Sequence, residues 1–180
     1  MLVLYVYPAQ YSVIDRRATI KLEPLMKTHN IDLLCYGSVA GGLLSDTYLD
    51  MSAPQEPFDN RSLIKYLLMI DEMGGWQAFQ EILEVLRSIA DDKDTDIATI
   101  ASCYCMQQSS VRACIVGARN TRHLKEHIQL RDSIELTASE LERIEGVRQQ
   151  YKAIPGAVYE LERDVDGKHG RIMKYNLNKS

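Results

Sequence analysis

The sequence predicts an α/β fold built on a small parallel sheet. Apolar, strand-like runs at 2–7, 31–36 and 111–116 alternate with segments of helical spacing. That order goes with parallel pairing. The second and third runs each end on a glycine with small neighbours, in Gly37-Ser38-Val39-Ala40-Gly41-Gly42 and in Gly117-Ala118. A strand–glycine–helix unit of this kind lets the backbone approach a phosphate-bearing ligand closely. Three strands are too few for a closed parallel barrel, which needs eight.

The first run stops at Pro8, has no basic flank, and is too short for a signal peptide or a membrane span. The expected setting is therefore cytoplasmic, with no membrane partner. In a reducing compartment Cys35, Cys103, Cys105 and Cys114 are expected as free core thiols. Cys103 and Cys105 lie two apart on an expected helix and so face different directions. No C-x-x-C is present, and no metal site is expected.

A helix is expected from Arg17 to His29, carrying Ile20, Leu22, Leu25 and Met26, with Asn30 ending it in the left-handed conformation. The segment 37–60, with Pro54 and Pro57, reads as a long loop. Leu63, Ile64, Leu67 and Leu68 resume helical spacing up to Gly74-Gly75. Phe79, Ile82, Leu83, Leu86 and Ile89 form a cleaner apolar stripe. Asp94-Thr95-Asp96 caps the next helix, with Ile97, Ile100, Ala101 and Tyr104. After the third strand a helix starts near Thr121. Thr137-Ala138-Ser139-Glu140 then forms a capping box ahead of Leu141, Ile144 and Val147. Asp166-Gly167 lies between short alternating runs and predicts a hairpin turn.

The 180 residues, 46% apolar and 26% charged, suit one soluble domain with a sizeable core. The net charge of −4 argues against a nucleic-acid partner. Lys168, His169, Arg171, Lys174 and Lys179 read as a solvated basic tail. His123-Leu124-Lys125-Glu126-His127 spells the H-x-x-E-H of inverted zinc proteases. Its position directly after a strand-end glycine turn is wrong for that chemistry, and no third ligand converges on it. Asp164-Val165-Asp166-Gly167 lacks the glycine offset and closing Glu of a calcium loop. Trp76 reads as a packing residue on a helix.

Several segments in order resemble the aldo-keto reductases. Gln10-Tyr11-Ser12-Val13-Ile14-Asp15-Arg16-Arg17 is similar to the segment after that family's sixth barrel strand. Tyr36-Gly37-Ser38-Val39-Ala40-Gly41-Gly42-Leu43-Leu44 is similar to the segment after the seventh, and Val116-Gly117-Ala118-Arg119-Asn120 to that after the eighth. Ile70-Asp71-Glu72-Met73-Gly74-Gly75-Trp76 resembles one subgroup of the family. The resemblance implies a partial (β/α)8 TIM barrel, about the last three strand–helix units, open rather than closed. It divides the chain into 1–9, a short strand matching poorly; 10–155, the C-terminal part of the reductase domain; and 156–180, a tail with a hairpin.

The same resemblance implies NADP(H) as cofactor and carbonyl-to-alcohol reduction as the reaction of the full-length family. It places Tyr36 against the nicotinamide, Gly37, Ser38 and Val39 along the pyrophosphate, and Gly117 and Arg119 at the adenosine phosphate. Glu126 falls at a ribose or adenine contact. A guanidinium can pair with a 2′-phosphate through two parallel hydrogen bonds. The family's catalytic Asp, Tyr, Lys and His lie on its first four strands and have no counterpart here, so no catalytic residue is assigned. Pro8 replaces a carboxamide-holding Gln, Thr47 a loop Lys, and His123 and His127 a Gln and an Asn. These departures imply weakened or lost cofactor binding. The expected function is a truncated reductase, inactive alone. The alternative is a non-catalytic binding or assembly module that pairs with a protein partner, or with itself, through open sheet edges.

Overall fold

A computed structural model describes residues 5–58, 62–117 and 134–172. Three strands, β1 (Val6–Gln10), β2 (Asp32–Tyr36) and β3 (Val111–Ile115), form one parallel sheet in the order β1-β2-β3. Ala9 pairs with Cys35 and Gln10 with Tyr36; across the other side of β2, Cys35 pairs with Cys114 and Tyr36 with Ile115. All three strands therefore end at one edge of the sheet. The first strand lies later than its sequence pattern suggests and runs through Pro8. A proline is tolerated there because β1 is an outer strand of the described sheet.

Helix α1 (Leu22–His29) is shorter than expected, because Arg17–Thr19 winds as a separate 3-10 turn. Asn30 ends α1 with φ 52°, as its side chain permits. The segment after β2 is not featureless: Ala40–Gly42 and Asp46–Tyr48 form short 3-10 turns. Helices α2 (Ser62–Met73), α3 (Trp76–Asp92) and α4 (Ile97–Met106) lead to β3. The α3 stripe is buried as expected, with Phe79, Ile82, Leu83, Leu86 and Ile89 fully enclosed. On α2 the buried stripe is instead Leu63, Tyr66, Met69, Ile70 and Met73. Ile64, Leu67 and Leu68 are only partly covered, so the helix is rotated from the face their spacing suggests.

Asp96 caps α4 by accepting from Thr99 N at 2.7 Å. The Thr137 box opens α5 (Ala138–Arg148), with both reciprocal bonds formed. The predicted hairpin at Asp166-Gly167 is absent. Two short helices, α6 (Glu160–Arg163) and α7 (Lys168–Arg171), flank that turn. The Asp164 carbonyl accepts from Gly167 N at 3.0 Å, and its carboxylate from Asp166 N at 3.3 Å. This closes a helix-to-helix corner. The stretch is not a wholly solvated tail either, since His169 is buried.

Among the described residues the sheet is closely covered on one face. Ala9, Leu33 and Cys35 are enclosed, whereas Ile115 is 51% exposed and Ala113 is also exposed. Parallel sheets are normally covered on both faces. No described helix is long and apolar enough to cross a membrane.

Candidate functional site

Tyr36 is the last residue of β2 and stands half-buried in register with Ile115. Lys65 of α2 places its Nζ 5.9 Å from the ring centroid. Burial raises the Tyr36 pKa first, and a hydrogen bond to the Tyr159 phenol adds to the effect. Gly37 follows at φ 73°, Ser38 is buried, and Val39 is partly covered. The Val39 carbonyl accepts from Gly42 N at 2.9 Å and from Leu44 N at 3.2 Å, which fixes the loop's turn.

The small residues of this loop have an internal reason. A Cβ on Gly37 would overlap the Tyr66 hydroxyl, and one on Gly41 would lie 2.8 Å from the Tyr66 ring. Tyr66 is itself buried, and burial pushes its pKa up to about 12. Gly117 lies just past β3, exposed, with no atom within 4 Å of where a Cβ would stand. Tyr36, Gly37, Ser38, Val39 and Gly117 thus gather at the C-terminal end of the sheet. Arg119, Glu126 and the H-x-x-E-H at 123–127 lie outside the described residues. Tyr36 is half-buried and Gly117 exposed, just past the ends of adjacent strands. The Gly37–Gly41 loop has little room beyond what Tyr66 already fills.

A buried ion cluster anchors this end of the molecule, and sequence reasoning missed it. Arg17, 2% exposed, donates Nε and Nη2 to Asp15 at 3.0 Å each, and Nη1 and Nη2 to Glu162 at 3.0 and 2.8 Å. Gln10 Nε2 donates to Asp15 Oδ2 at 2.6 Å. Lys65 Nζ lies 3.8 Å from Glu162 Oε1, so two cations face two carboxylates. Burial lowers the Lys65 pKa, with Glu162 opposing. Burial alone would raise the Glu162 pKa, and the Arg17 hydrogen bonds outweigh it. Asp15, Arg16 and Arg17 stand together in the sequence, but Glu162 is 145 positions from Arg17, and no local signal links them.

A second cluster joins Arg16, Tyr104, Glu145 and Arg148. Arg16 Nη1 donates to Glu145 Oε1 at 2.6 Å, and Arg148 donates to Oε2 from Nε and Nη2. The Tyr104 hydroxyl donates to the same carboxylate. Burial works to raise the Glu145 pKa, but Tyr104, Arg148 and Arg16 together bring it down to about 2. Beside it lies a cavity of about 150 Å³ with Ile14, Arg16, Met73, Arg148 and Lys152 in its wall. Among the described residues no group of three or more His, Cys, Asp or Glu is arranged to hold a metal ion.

Comparisons with known proteins bear on the family and the fold. The family model described as "Aldo/keto reductase family" matches residues 3–149. The match takes in β1, including Pro8, which the sequence had set apart. The chain is 27% identical over 147 residues to the oxidoreductase YqkF of Bacillus subtilis, covering 80% of this chain and 44% of that protein. It is similar to the holo form of the aldo-keto reductase AKR11C1 from Bacillus halodurans, with TM-score 0.56 and 26% identity, over 88% of this chain and 44% of that one. The glycerol dehydrogenase AKR11B4 from Gluconobacter oxydans shares the fold at TM-score 0.65 and 18% identity, over 84% of this chain and 44% of that one. The chain thus spans less than half the length of these relatives.

Proposed function

The chain belongs to the aldo/keto reductase family, and from that premise we propose that it is the cofactor-side part of an NADP(H)-dependent carbonyl reductase, without turnover of its own. The carrying observation is the gathering of Tyr36, Gly37, Ser38, Val39 and Gly117 at the C-terminal ends of adjacent parallel strands. Barrel enzymes of this architecture place their sites at that end. When bound, the nicotinamide would supply hydride.

This chain's own residues hold and orient. Tyr36 offers a ring face, with Lys65 and the buried Asp15–Arg17–Glu162 cluster fixing the ground behind it. Gly117 leaves room at the end of β3, and Arg119 is proposed to pair with a 2′-phosphate. Glu126 is proposed at the ribose or adenine. The raised pKa of Tyr36 keeps its phenol neutral at ordinary pH, and no general acid is assigned to it. Lack of a positioned proton donor and its partners removes acid catalysis and orientation, each worth orders of magnitude. The reading goes with a cytoplasmic setting, which suits four free thiols.

Two assays on the purified chain test the reading. NADPH fluorescence titration is expected to show weak binding that Arg119→Ala reduces about tenfold, the scale of a charge-assisted pair. Aldehyde-dependent NADPH oxidation is expected to be absent. Turnover that survives Tyr36→Phe would refute the inactive reading. Absence of NADPH binding would remove the cofactor role and leave the family assignment intact.

The half-covered sheet favours a second reading, an assembly module. Tyr7 is 42% exposed, Ile115 51% and Val116 40%, along or beside the outer strands. Light scattering after size exclusion decides: a dimer is expected on this reading, and a stable monomer at high concentration contradicts it.

A further inference from the structure

Three of the four cysteines meet on the helix-covered face of the sheet. Cys35 of β2 and Cys114 of β3 are register partners, and their Sγ atoms stand 3.0 Å apart. Cys105, on α4, lies within hydrogen-bonding reach of both. Its thiol also points at the Tyr11 carbonyl at 3.7 Å, and that of Cys114 at the Ser102 carbonyl at 3.8 Å. Cys103 faces elsewhere, toward the Ile134 carbonyl at 3.5 Å. All four are free thiols.

We propose that Cys35 and Cys114 form an oxidisable pair, converted by a peroxide to a disulfide that staples β2 to β3. Adjacent strands lie ~4.8 Å apart, inside the Cα separation that a disulfide spans. The sulfurs need to close by only about 1 Å to reach bonding distance. Access is asymmetric. Cys35 is fully enclosed, whereas Cys114 is only partly covered and meets the oxidant.

The steps balance. The Cys114 sulfur, losing its proton, attacks one peroxide oxygen, and the O–O bond breaks. This gives a sulfenic acid and, with hydrogen peroxide, one water. The Cys35 sulfur, losing its proton, then attacks the Cys114 sulfur; the S–O bond breaks and a second water leaves. Two thiols lose two electrons and two protons in all, and one peroxide is reduced to two waters. Cys35 suits the second step, because its side-chain contacts with Cys105 and Cys114 lower its pKa, against the opposing effect of burial. Burial first of all holds the Cys105 thiol protonated, and at Cys114 the lowering by Cys105 is outweighed by the contact with Cys35 and by burial, so it is exposure to the oxidant and not thiol acidity that selects Cys114 for the first step. The pair lies directly before Tyr36 on one strand and shortly before Gly117 on the other, yet the inference does not rest on the cofactor reading.

The test is hydrogen peroxide treatment of the folded chain, followed by alkylation under denaturing conditions and mass spectrometry of intact protein and unreduced peptides. The expected product has lost two hydrogens, keeps Cys103 and Cys105 open to alkylation, and yields one cross-linked peptide pair joining Cys35 to Cys114. Dithiothreitol reverses it. Cys114→Ser removes the product, Cys105→Ser and Cys103→Ser keep it, and circular dichroism verifies that each variant is folded. A bridge through Cys105, or over-oxidation of Cys114 with no bridge in the folded wild-type chain, would overturn the proposal.

Discussion

Gly37 is the residue at which local strain and packing coincide. Its φ of 73° costs an L-residue about 1–2 kcal/mol, and a Cβ there also meets the Tyr66 hydroxyl. Gly37→Ala is expected to lower unfolding free energy by about 1–3 kcal/mol in denaturant titration. Tyr66→Phe should return part of that loss by removing the overlapping oxygen. Equal losses in both backgrounds would mean that the backbone alone sets the cost. The glycine run was legible in the sequence because special φ values leave a residue-type signature. Its neighbour was not, because Tyr66 reaches the loop from a separate helix whose stripe reads equally well on another face. Glu145 gives a residue-scale pH effect. Its folded pKa, about 2, lies below the ordinary 4.5, so its stabilising contribution is complete above 4.5 and drains away as pH falls toward 2. Melting temperature is expected to decline across that window, and Glu145→Gln should flatten the decline.

Among the elements, α3 carries the largest share of the core visible in one stripe. Leu83 is fully enclosed, and Leu83→Ala is expected to cost about 2–5 kcal/mol by urea denaturation. Thr137→Ala removes the capping bond to Glu140 N and is expected to cost about 1 kcal/mol. Both features stood out in the sequence because amphipathic periodicity and capping boxes are local codes. The end of the chain was misread for the same reason. An Asp-Gly pair marks a tight turn but not what it joins. Here Asp164 closes a corner between two helical turns, and a Cβ on Gly170 would collide with the Asp164 carbonyl. The ion cluster that ties α6 to the sheet was invisible, because Arg17 and Glu162 meet only through the tertiary fold. Arg17→Ala leaves two buried carboxylates short of a partner and is expected to cost about 3–5 kcal/mol. Little loss on that substitution, measured by thermal unfolding, would show that Lys65 suffices.

At the scale of the whole molecule, the exposed side of the described sheet goes with its size: three parallel strands in the order β1-β2-β3 are too few to close on themselves and enclose an inner side. The outer strands differ in a way that bears on what can attach to them. Tyr5 O accepts from Asp32 N, and Tyr11 N donates to Tyr36 O, so the odd-numbered residues of β1 turn their amides toward β2. Pro8 therefore faces outward, where it has no N–H to give, and its carbonyl is already taken by the Tyr159 hydroxyl at 3.0 Å. A foreign strand laid along β1 would lose both rungs at that position, while β3 has no proline to interrupt it. On the assembly reading, growth of chain upon chain would have a polarity: the β3 flank would accept and the β1 flank terminate, so that a stack begun at β3 would close as a pair of molecules instead of running on into a filament.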